Sequence, residues 1–511
     1  MLAKPSFAAY AAWGPWFSLF LALCLGPDLG LVRSAWSQTL SPDALAVHAV
    51  NRLSFGAVPG EIDRVRAMGV PAYVQEQLNP EKLPEPQALT DRLAALTTYS
   101  QDTVQLFRTF GPKAPGGPRV NPTMDEINAA KAKAAIIARE AVEAKLWRAL
   151  LSPRQLEEVL CDFWYNHFNV PSDKGLTHLW VGSYEREAIR PHVLGRFEDM
   201  LLAVTRHPAM LIYLENWQSA DPDSPQGKGT QRPLVESHAR ELLTAHTMGV
   251  DPGRLKPQDV TTLARVLAGW TIGAPRTSQD SNGFVFDERR HDSKEKQFLG
   301  KPLKASGYAE GVAALKLLAA QPETARNICG KLARLFLAED PPKQLEEMLS
   351  KAFLDSGGDI RAVLTVLFAS PEFADQKYAW NRFKNPLRYV VSVVRASARP
   401  VYEVRSLAEH LEWLGMPPYD APGVSGFKAT RDAWVDADLF LKRLNLAAQA
   451  GEGGLPCWSP GSYAPARPLD STELAKVMGL ALSPVTAKTV EASPPERKAG
   501  VLLGSPEGQQ F

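Results

Sequence analysis

Helix punctuation, repeated at short intervals from Ser41 nearly to the last residue, is what most limits how this chain can fold. In "SPDALAVHAVNRLSFG", Ser41 offers a side-chain cap, Pro42 sits in the first turn, and Gly56 closes the run. The same Ser-Pro start recurs at 152–153, ahead of "RQLEEVLCDFWYNHF". A long Ala-rich helix is expected over 124–151. Further helices are expected at about 181–205, 232–248, 257–268, 308–320, 322–338, 342–355, 359–369, 386–398, 404–414 and 431–449. One stretch breaks the pattern. "DSNGFVFDERRHDSKEKQFLG", residues 280–300, has an Asn-Gly turn signal and alternating Phe284 and Phe286, which read as a short strand or hairpin and an exposed loop. The class is therefore all-α: a large irregular multi-helix domain over 41–450 with one short β-hairpin or strand insertion. Residues 451–511 read as a Pro/Gly-rich segment with a C-terminal helix.

Charge excludes one class of partner. The 511 residues carry a net charge of +1, and no basic stripe runs along them, so binding driven by phosphate neutralisation of nucleic acid is not expected. The N-terminus has one early lysine, an apolar stretch near 16–25, a Gly/Pro break, and Ala35-Trp36-Ser37 before Gln38. That order is a signal peptide over 1–37 with cleavage after Ser37. The apolar stretch is shorter than the ~20 residues of a bilayer span, and no other run could cross a membrane. A periplasmic or extracellular protein is expected. Cleavage leaves Cys161, Cys329 and Cys457, too few for a disulfide framework; Cys161 and Cys329 read as buried apolar groups in helices.

Two helices place histidine on an apolar stripe. Leu156, Val159, Leu160, Phe163, Trp164 and His167 follow helical spacing on one face. Val235, Ala239, Leu242 and His246 do the same, with Gly249 as end cap. A buried imidazole without a partner costs on the order of 1–3 kcal/mol, so something must engage it. The loop pair His291-Asp292 is the third candidate. Glu236 and Arg240 are one turn apart and can pair; Glu241 follows close behind. The polar segment "YEREAIRPHVLGRFEDMLLAVTRHPAMLIYLENWQS" reads as a solvated helix face or as a cleft wall in which Arg190 binds an anionic group and Asn216 fixes a loop.

Many segments, in order, resemble the bacterial exported family of domain of unknown function 1800. They include "VNRLSFGAVPGEI", "FWYNHFNV", the Tyr-Glu-Arg-Glu segment, "ARELLTAHTMGV", "LARVLAGWT", "FDERRHDSKEKQFLG", "DIRAVLTVLFASPEF" and "PLRYVVSVVRA". The resemblance covers about 42–450 and implies a mostly helical exported protein. It also implies a genomic neighbour, an exported sulfatase-like partner of the domain of unknown function 1501 family. The family's motif pieces fall on Asn166-His167-Phe168, Arg240-Glu241-Leu242, His246-Thr247 and His291-Asp292. Where the family reads Asn-Glu-Asn-Tyr, this chain has Val235-Glu236-Ser237-His238, losing two amides and a tyrosine.

Two functions follow. In the first, the chain is an enzyme with a buried polar site. His167, Glu241, His246, His291 and Asp292 would be catalytic, with Arg190, Asn216, Glu236 and Arg240 binding a cofactor. His167, His246 and His291 would be ligands if a divalent metal is held. In the second, it is a non-catalytic helical scaffold or partner of another exported protein. Sugar stacking on Trp164, Trp217 and Trp270 is a third, weaker idea.

Overall fold

The computed structural model describes residues 38–111, 124–228, 233–249, 255–273, 282–459 and 467–511. The expected signal peptide and the loop at 112–123 lie outside the described residues. The molecule is 61% helical with two small two-stranded sheets, as the punctuation predicts. Ser41 accepts from the Ala44 amide and Pro42 occupies the first turn of Pro42–Leu53. Asn385 caps Pro386–Ala396 in the same way, with its side chain accepting from the Arg388 amide. Every residue of Pro386–Ala396 is buried, so it forms an axis that other helices surround. Among the described residues no helix is long and apolar enough to cross a membrane.

Long helices fall close to their expected limits, including Met124–Leu151, Gln155–His167, Pro257–Leu267 and Pro322–Phe336. Two expectations are corrected. The helix over 181–205 is broken into Val181–Tyr184, a π-turn at Glu185–Ile189, a 3-10 turn at Arg190–His192, and Phe197–Arg206. The helix over 232–248 shrinks to Ser237–Glu241 followed by a second π-turn, Leu242–His246. Such turns carry one residue too many for α geometry, and they cluster at functional sites.

The strands are β1 (Trp270–Ile272), β2 (Phe284–Phe286), β3 (Lys296–Phe298) and β4 (Lys301–Leu303). β1 and β2 pair antiparallel, Trp270 opposite Phe286. β3 and β4 form a hairpin through Leu299 and Gly300, both at positive φ (49° and 73°), the twist that a two-residue connection demands. Between the sheets the loop is exposed at Glu288, Arg289, Ser293, Lys294 and Glu295, as expected, but His291 and Asp292 within it are buried, 5% and 4% exposed.

After residue 470 the chain forms three helices, Ser471–Met478, Pro484–Ala492 and Pro495–Gly504. The last packs on Ala437–Gly451. Their backbones nearly touch, because a Cβ on Gly451 would come 2.2 Å from the Gly500 amide nitrogen. Residues 505–511 then return to the 382–384 segment, where Phe383 bridges Gln510. Cys161, Cys329 and Cys457 are all buried thiols, and Trp164 and Trp270 are core residues, leaving Trp217 exposed.

Candidate functional site

Two polar centres share the Gln155–His167 helix. The first joins its C-terminal end to the second π-turn. His167 stands where the apolar stripe predicts, buried and stacked edge-on to Trp164 and Phe168. Its Nε2 donates to the His246 carbonyl at 3.1 Å, which leaves Nδ1 as an acceptor for the Lys331 ammonium, also at 3.1 Å. Lys331 comes from Pro322–Phe336 and donates to the Ala245 carbonyl too. The His246 ring lies 6.2 Å from that of His167, and neither of its nitrogens has a partner. His238, two turns earlier in the same segment, is equally buried and, among the described residues, equally unpartnered.

Among the described residues no carboxylate enters this cluster, and electrostatics follow from that. Burial, and then the charges of Lys331 and His246, push the His167 pKa well below the imidazole range. Burial carries His246 and His238 down to about 3. Burial, with Arg334 adding repulsion, lowers the Lys331 amine to about 8. At neutral pH the three rings are uncharged, and the amine sits close to its own midpoint, where proton exchange is easiest.

The second centre is the reverse in charge. Arg190 makes a two-pronged pair with Glu158 at 2.7 and 2.9 Å and reaches Glu185 at 2.9 Å. Lys145 bridges Asp162 at 2.9 Å and Glu185 at 3.5 Å, and the Tyr419 hydroxyl donates to Glu185 at 2.8 Å. Burial alone would raise Glu185, but Lys145 and Arg190 outweigh it and hold the carboxyl at about 2. Glu158 is itself buried, paired with Arg190. A narrow cleft opens beside this network, lined by Lys145, Asp162, Tyr165, Asn166, Asn169 and Tyr419. Asn166 fastens a loop over it, donating to the Phe427 carbonyl (2.9 Å) and accepting the Phe427 amide (2.7 Å). Asn169 donates to the Ala421 and Gly423 carbonyls of the same loop.

The remaining candidates lie apart from both centres. His291 donates from Nδ1 to the Ala268 carbonyl at 3.0 Å, and its Nε2 is 2.9 Å from Glu310. Asp292 accepts the Lys294 amide and faces Lys296 at 3.7 Å and Arg265 at 3.9 Å. None of these contacts involves His167 or His246. Among the described residues, the three-member group whose ligand atoms lie within 4.8 Å of one another is Glu85, Glu157 and Glu158, and it contains no histidine. Asn216 donates to the Leu267 and Trp270 carbonyls, tying Pro257–Leu267 to β1. Glu236 accepts from Thr261 at 2.6 Å and pairs with Arg240 at 3.3 Å. Glu241 is half-buried, its carboxyl raised by burial.

Sequence reasoning missed Lys331, His238, Lys145 and Tyr419. Lys331 reads as an ordinary solvated lysine in "CGKLARLF"; its spacing gives no hint that His167 lies beside it. His238 had a signal, since it stands two helical turns ahead of His246 and on the same side.

The motif pieces thus fall at the C-terminal end of the shared helix, along the segment that ends in the second π-turn, and in the loop between β2 and β3. No curated protein and no solved structure matches the chain. Residues 48–509 match the family model described as "Protein of unknown function (DUF1800)", and with nearly its whole length covered the chain belongs to that family.

Proposed function

We propose that the chain is an exported enzyme whose reactive centre is the amine–imidazole cluster of Lys331, His167 and His246. One observation carries this reading: the Lys331 ammonium is hydrogen-bonded to a neutral imidazole at 3.1 Å with no acid to hold its charge. An amine whose pKa burial has brought to about 8 can lose and regain a proton near neutrality. His167 Nδ1 accepts the hydrogen bond from the ammonium and orients the amine, its tautomer fixed by the bond from Nε2 to the His246 carbonyl, and the proton leaves to solvent. Lys331 is only partly buried, which gives the cluster a route to solvent. Export rests on the leader pattern of residues 1–37.

The test is turnover. Purified protein beginning at Gln38 is screened against chromogenic acyl, phosphoryl and carbonyl substrates between pH 6 and 10, beside Lys331→Met and His167→Ala. Turnover that rises through about pH 8 and falls at least tenfold in both variants supports the reading, the midpoint following the Lys331 pKa. Turnover shared equally by all three proteins, or absent from all, overturns it. N-terminal sequencing of the periplasmic fraction checks export; a start at Gln38 is expected.

A further inference from the structure

The densest collection of buried cations lies away from both polar centres, around residues 508–511. Lys384 donates to the Gly508 carbonyl at 3.1 Å, and Arg443 donates to the Gln509 side chain at 2.9 Å. The main chain of Arg382 pairs with that of Phe511. The guanidinium carbons of Arg388 and Arg52 sit 4.1 and 4.9 Å from the centre of the Phe511 ring. All five side chains are buried. Against them, among the described residues, one carboxylate comes within ion-pair distance: Glu339, 3.5 Å from Arg382 and without hydrogen-bond geometry. Asp162 is the further acid whose charge reaches Arg388.

Most of the unmet groups are donors. Arg52 uses one nitrogen on the Tyr378 carbonyl (2.5 Å) and Asn381 (2.7 Å), but its Nε and Nη1 have no acceptor among the described residues. Arg382 leaves Nε and Nη1 in the same state. His48 Nε2 and Asn51 Nδ2, on the turn of helix that carries Arg52, are also buried without partners. A buried charge left unpaired is among the most costly things a fold can contain, whereas a charge-assisted bond to an anion is among the strongest polar contacts. Burial depresses all three; repulsion from Arg382 and Arg388 adds to it at Arg52, from Arg334 at Arg382, and from Arg382 at Arg388.

We propose that Arg52 and Arg382, backed by Arg388, bind one oxyanion beside Phe511. The guanidinium fork matches a group presenting two oxygens, so the ligand is a carboxylate or a phosphate-type anion. Two sources carry that chemistry: a free inorganic phosphate-type anion, or a small free carboxylate. The experiment is thermal unfolding of the protein in inorganic phosphate, and separately in acetate, against chloride at matched ionic strength, repeated in Arg52→Met and Arg382→Gln. A phosphate-type site gives a rise of several degrees in phosphate, a carboxylate site the same rise in acetate, and both variants lose it. Should Arg52→Met fail to fold, Arg382→Gln alone carries the readout. Phosphate and acetate both acting like chloride, or a response that survives Arg382→Gln, overturns the proposal.

Discussion

Two buried polar regions hang from one helix, Gln155–His167, and handle the same desolvation in opposite ways. Around Glu158 and Asp162 the chain buries opposite charges together, so Arg190, Lys145 and Glu185 keep theirs. Around His167 it buries bases without acids, so the rings stay neutral and Lys331 is held near its midpoint. The first arrangement fixes structure, because each member is costly to remove. The second stores reactivity, because nothing neutralises an incoming proton except the bases themselves.

Glu185→Gln should produce the largest effect, removing the acid shared by Arg190, Lys145 and Tyr419. Breaking such a buried network is expected to cost about 3–5 kcal/mol in urea unfolding. A loss under about 1 kcal/mol would erase the distinction between the two regions.

Acid sharpens the contrast. His238 and His246 titrate near 3 when folded and near the ordinary imidazole value when unfolded. Between those values the unfolded chain binds more protons, so stability is full above about 6.5 and drains as pH falls toward 3. Glu185, held at about 2 against an ordinary 4.5, keeps its contribution until the pH drops below 4.5. Unfolding on the way down should therefore begin at the imidazoles. His238→Leu is expected to recover about 2 kcal/mol relative to the parent at pH 5, and nothing at pH 8. An equal change at both pH values would show that His238 acts through packing alone.

Asn166→Ala comes next. It strips the Phe427 amide and carbonyl of their side-chain partner, an expected loss of about 1–2 kcal/mol with faster proteolysis confined to 419–428. Cleavage spread evenly over the chain would count against a local fastening. The smallest effect is electrostatic. His167→Ala should move the pH midpoint for acylation of Lys331, read by peptide mass spectrometry, by less than one unit from about 8, since burial dominates that shift and Arg334 comes second. A midpoint near an ordinary lysine's would make the ring, not burial, the cause.

Most of the architecture is legible in the amino-acid order because apolar residues at helical spacing can be buried in one way only. Leu156, Val159, Leu160 and Trp164 place the Gln155–His167 helix and point His167 inward. The π-turns are not legible, since Glu185–Ile189 and Leu242–His246 carry good α-formers and no glycine or proline within them. Burial of His291 and Asp292 is also hidden. Their neighbours Glu310 and Arg265 are distant in sequence, and a run of charges in "DERRHDSKEK" looks solvated until those partners arrive. Half of the candidate centre, His167 and His246, could be read from spacing. Lys331, the group that makes it reactive, could not, because its role depends on a helix some 160 residues away.

An extra residue in a turn is a phase slip. Each residue advances a helix by about 100°, so the surplus in Leu242–His246 swings everything downstream a quarter turn and more around the axis. Excising a single residue there would let the segment relax into ordinary winding and would turn Thr247, rather than His246, toward Phe168. The imidazole's inward aim is thus written in chain length as much as in residue identity, and a deletion scan would read it where a substitution scan would not.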